Sequence, residues 1–99
     1  MKNFRTFELA VNFYKQASCL KLPSIIKNQL DRAALSIPLN LAEGRGKPTR
    51  KDQVKFFNIA MGSLRECEAI LIIVDLKGSE IWKQLDILGA HLYKLIKNS

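Results

Sequence analysis

The chain has 99 residues, a formal net charge of +7 at pH 7, and a composition that is 47% hydrophobic and 25% charged. That length fits one domain spanning 1–99, and the balance of apolar and charged residues excludes a disordered chain. The longest unbroken apolar run, 69–74, falls far short of the roughly 20 residues that cross a bilayer, and two cysteines do not make a disulfide framework.

The first apolar series is Ala10, Phe13, Ala17 and Leu20, with Phe7, Leu9 and Tyr14 alongside. Its 3-4 spacing predicts a helix over 7–20, with Thr6 as cap and Glu8 near the positive end of the dipole. Pro23 separates it from a second series, Ile26, Leu30, Ala33, Ile37 and Leu41, which predicts a helix over 24–43. Pro38 interrupts that helix by removing one backbone donor, and a kink there is expected because the apolar face resumes beyond it. Gly44 is read as the stop, and Arg45-Gly46-Lys47-Pro48 as a loop. Thr49 and Asp52 have capping-box spacing, opening a helix over 50–77 that carries Phe57, Ala60, Leu64, Cys67, Leu71 and Val74. The run from Ile70 to Val74 also has strand propensity, but the helical spacing enters it without a breaker. Gly78 is read as its end, and Ser79 as the cap of a last helix over 80–97 with Ile81, Leu85, Leu88, Leu92 and Leu95 on one face.

Four helices with short connections predict an all-α protein, an antiparallel up-down-up-down bundle. The third helix has a second apolar stripe, Phe56, Ile59, Ile70 and Ile73, beside its core stripe. A helix that is apolar on two sides needs a second burial partner, and a homo-oligomer built on this stripe is the expectation.

Chemistry-bearing patterns are sparse. The single histidine, His91, lacks the Glu-x-x-His spacing of a di-iron bundle, and neither cysteine has a neighbouring ligand. No nucleophile elbow is present, and Gly44-Arg45-Gly46-Lys47 matches no phosphate-loop spacing. No catalytic residue, cofactor or metal is therefore expected, and the chain is read as non-enzymatic. The strongest signal is electrostatic. Arg45, Lys47, Arg50, Lys51 and Lys55 fall close together with only Asp52 opposing them. Such a cluster can neutralise phosphates of RNA or DNA and release counterions. No aromatic residue is interleaved between Arg45 and Lys55, so base stacking is not indicated there. Ser36, Asn40 and Glu43 on the second helix, with Ser63 and Glu66 on the third, lie on core-like faces and predict a hydrogen-bond network, within which Glu66 needs a donor. A solvated basic surface, a scaffold for an acidic protein partner and a small enzyme using Arg32 and Glu66 are the competing readings. The opening residues have no apolar run behind them, so a cytoplasmic protein with reduced thiols is expected.

The segments QLDRAALSIPLNLAEG (29–44) and FNIAMGSLRE (57–66) resemble the four-helix-bundle proteins encoded in intervening sequences of 23S rRNA genes, and their relatives, the accessory proteins of diversity-generating retroelements. The resemblance implies a homopentameric bundle, nucleic-acid binding and, in the retroelement branch, association with a reverse transcriptase. It implies structural roles for Ser36, Pro38, Asn40, Glu43, Gly44, Gly62, Ser63 and Glu66. The connection at 21–27 is shorter than usual, and Lys47 stands where the family has arginine.

Overall fold

The structure, a computed structural model, describes residues 4–98; the first three residues of the opening segment lie outside it. It consists of four helices: α1 (Arg5–Ser18), α2 (Ser24–Arg45), α3 (Arg50–Ile73) and α4 (Glu80–Lys97). No strand occurs among the described residues, and Ile70–Ile73 is helical. Each helix packs against its neighbours in the chain, α4 closes on α1, and the bundle measures 40 × 22 × 22 Å.

The apolar stripes meet along the axis. Phe13, Leu30, Ile37, Leu41, Phe57, Leu64, Leu71, Leu85, Leu88 and Leu92 are buried together, with Ala10, Ala17, Ala33, Ala34 and Ala60 where the helices approach. Full burial of each large aliphatic side chain is worth roughly 1.5–3 kcal/mol, so these stripes are the main stabilising term.

One end of the bundle gathers two helix starts and two helix ends. Phe4, just ahead of α1, is buried and lies under the Arg45 guanidinium at the end of α2, 4.6 Å from its ring centroid. Gly44 faces the start of α3 so closely that an added Cβ would sit 2.7 Å from Phe57 Cε1. Arg50, the first residue of α3, reaches the last turn of α4.

Several boundaries differ from the sequence expectation. Thr6 is buried inside α1 and caps nothing; the helix starts one residue after Phe4. Gly44 lies within α2, which runs on to Arg45, so its glycine serves close packing and not a helix stop. As expected, α2 continues through Pro38, which is buried. α3 ends at Ile73, short of Gly78. Leu76 N–H donates to the Leu71 carbonyl (2.8 Å) and Asp75 N–H to the Ile72 carbonyl (3.0 Å), a Schellman closure with Asp75 at φ 62°. Aspartate enters the left-handed region more readily than most side chains, which is why the stop can occur without glycine. Thr49 and Ser79 cap α3 and α4 as expected, accepting from Asp52 N–H (3.2 Å) and Trp82 N–H (3.4 Å).

Candidate nucleic-acid interface

The five clustered basic residues occupy three different environments. Lys51 and Lys55 project from the exposed side of the first turns of α3, and no ion pair among the described residues engages either. Arg45 is exposed and is likewise in no ion pair among the described residues; its guanidinium stacks on Phe4, which restricts its motion. Lys47 is half-buried, 3.0 Å from Glu43 Oε2 and 5.1 Å from the Phe56 ring centroid. Its ion pair bridges one helical turn at the surface and is worth about 0–1 kcal/mol, so an incoming phosphate can replace the carboxylate.

Arg50 departs from the exposed cluster. Its guanidinium donates to the carbonyl oxygens of Leu95 (2.6 Å) and Ile96 (2.9 Å). The last carbonyls of a helix lack intrahelical donors and carry the negative end of its dipole, so a cation is stabilised there. Arg50 fastens α4 to the start of α3. Sequence spacing placed it among the phosphate-facing cations because carbonyls 45 residues away are invisible to local pattern.

The polar residues divide as well. Ser63 Oγ donates to Ser36 Oγ (2.8 Å), and Asn40 Nδ2 donates to Ser36 Oγ (3.0 Å) and to the Ser36 carbonyl (2.9 Å). This seam joins α2 to α3. Two of the expected members are absent from it: Glu43 is on the surface with Lys47, and Glu66 is exposed. Glu66 therefore has no need of a buried donor. It opens with Gln29, Arg32, Ser36 and Ser63 onto a shallow polar groove of about 250 Å³. Ser63 spends its proton on Ser36.

The second stripe of α3 is uneven. Ile73 is 69% exposed and Ile59 44%, Phe56 is half-buried beneath Lys47, and Ile70 is 8% exposed and belongs to the core of the single chain. The expectation for Ile70 is thus corrected: position 70 is covered by the bundle itself and belongs to its buried core. α2 adds exposed Leu35 and Leu39 within one turn of Ser36.

His91 is exposed, and no group of three or more metal-ligating side chains occurs among the described residues. No described helix is long and apolar enough to cross a membrane. Cys67 is fully buried, and its thiol is pushed up to about 12 by burial first, then by the nearby carboxylates of Glu66 and Glu68.

A four-helix bundle with a core of interlocking stripes, a serine–asparagine seam and free cations at one end defines a small basic helical protein. The chain belongs to the 23S rRNA-intervening sequence protein family, whose model matches residues 4–98. No curated protein and no solved structure matches it.

Proposed function

We propose that this protein is a non-enzymatic, oligomeric bundle that binds RNA or DNA chiefly through backbone phosphates, in the cytoplasm. The observation that carries the reading is the set of exposed cations, Arg45, Lys51 and Lys55, in no ion pair among the described residues, at one end of a chain of net charge +7. The ribosomal-RNA context of the family name supports a polyanionic partner. Phosphate contacts of this kind fix position on the nucleic acid and carry little sequence information.

Assembly follows from the exposed isoleucines and leucines of α2 and α3. Ile59, Ile73, Leu35 and Leu39 leave apolar surface that another subunit can cover. A homopentamer is the arrangement that the motif resemblance implies. In such an assembly the cations of neighbouring subunits add to one field, which raises the rate of encounter with a polyanion.

Binding to a short structured RNA, followed by anisotropy over a salt series, tests the reading. The logarithm of the affinity falls linearly with the logarithm of salt, by roughly 0.9 per phosphate neutralised on a duplex. Replacing Lys51 and Lys55 by Glu flattens that slope and weakens binding to every sequence alike. Affinity that ignores salt, or that survives both substitutions, overturns it.

The same apolar face supports a second reading, a scaffold or accessory subunit for a reverse transcriptase or another polymerase. It predicts weak nucleic-acid binding by the purified chain and a stable complex with one protein. Substituting Asp for Ile59 and Ile73 then abolishes that complex.

A further inference from the structure

We propose that the groove between α3 and α4 receives an unpaired nucleobase of the bound strand, stacked against Tyr93; this rests on the nucleic-acid reading above. The groove has a volume of about 260 Å³ and is lined by Met61, Leu64, Arg65, Asp86, Gly89 and Tyr93. Its chemistry differs from that of the cationic cluster. Tyr93 is 56% exposed with Lys97 over one face of its ring, whereas Phe4 is buried and Phe56 half-buried. The exposed part of an aromatic ring beside a groove is a stacking platform for any base.

Gly89 supplies a second observation. A Cβ there would lie 3.6 Å from Leu64 Cδ2, an ordinary contact, so the packing of α4 on α3 does not require glycine. Glycine inside a helix is nonetheless among the poorest helix formers. At this position it lines the groove without adding a side chain to it.

The charges on the walls select a base over a phosphate. The Glu68 carboxylate is engaged by Arg65 at 3.6 Å, but Asp86 is exposed and in no ion pair among the described residues. A free carboxylate repels phosphate and accepts from an exocyclic amino group, so cytosine is favoured over uracil. Lys97 holds the outer rim, with Nζ 3.5 Å from the Tyr93 hydroxyl and 5.7 Å from the ring centroid. It lies one helical turn nearer the end where Arg50 meets α4, and meets the phosphate that flanks the stacked base. The basic end and the groove therefore read different parts of one strand.

The test compares a short cytidine RNA oligomer, a uridine oligomer of equal length and an RNA duplex, each titrated with the full chain. The cytidine oligomer binds more tightly than the uridine one. Tyr93→Ala weakens cytidine binding by roughly 5- to 150-fold, leaves the duplex affinity and the salt slope unchanged, and Tyr93→Phe restores binding. Tyr93 is exposed, so circular dichroism of the variants matches the parent. Wild-type affinity in Tyr93→Ala, an equal loss on the duplex, or a change of oligomeric mass overturns the base pocket alone. Failure of the unaltered protein to bind all three probes overturns the nucleic-acid reading together with it.

Discussion

Cys67 and Cys19 show how position sets the chemistry of one side chain. Cys67 has no exposed surface, while Cys19 is exposed at the end of α1. In the native protein a thiol reagent should therefore modify Cys19 alone, and denaturant should release the second thiol; two fast-reacting thiols in the native state would contradict the core placement. Because the folded thiol titrates near 12 against 9.0 in the open chain, the unfolded state loses its proton first. Stability contributed by this group is complete below pH 9 and is lost as pH rises toward 12, at up to about 1.4 kcal/mol per unit. Urea midpoints across that window, compared with those of Cys67→Ala, isolate the slope. Gly44 makes a second case. A methyl there meets Phe57 Cε1 at 2.7 Å and the Gln53 carbonyl oxygen at 3.0 Å, so Gly44→Ala should cost about 1–3 kcal/mol in chemical denaturation.

At the scale of the element, helix ends carry the testable features. Arg50 serves α4 from α3: its two charge-assisted bonds satisfy carbonyls that α4 cannot satisfy itself. Arg50→Met keeps the length of the stem and removes the donors. It should lower stability by about 1.5–3 kcal/mol and speed hydrogen exchange in the last turn of α4, with little change in exchange elsewhere. The end of α3 offers a gain. Asp75 holds φ 62° in the Schellman closure, and glycine enters that region without the Cβ penalty. Asp75→Gly should raise the unfolding midpoint by an amount equivalent to about 0.5–1 kcal/mol, and a loss would mean that the carboxylate itself stabilises the turn.

At the scale of the whole molecule, the surface divides by face. The outer side of α2 and α3 carries exposed Leu35, Leu39, Ile59 and Ile73 beside a polar seam, one end is cationic, and the seam of α3 with α4 carries the groove beside Tyr93. If the apolar face is covered by other copies, light scattering gives a mass several times 11.2 kDa. Asp at Ile59 and Ile73 then returns a folded single chain, because both side chains lie outside the core. The same double substitution at Ile70 and Leu71 unfolds the protein instead, since those residues are buried within one subunit.

Composition and the 3-4 spacing of apolar residues were sufficient for four helices, most of their core residues and the caps at Thr49 and Ser79, because helix periodicity and capping are local physics. The family motif was equally legible, as a string of residues. Contacts between distant segments were not. Only the packed bundle put Arg50 on the carbonyls of Leu95 and Ile96, Ile70 inside, Glu66 outside and Gly44 against Phe57. It also set the exposed Tyr93 beside a groove that Gly89 helps to line, although no aromatic stands within the basic run itself. Sequence spacing fixes which side of its own helix a residue occupies; whether that side meets a neighbouring helix or water is decided when the four axes pack.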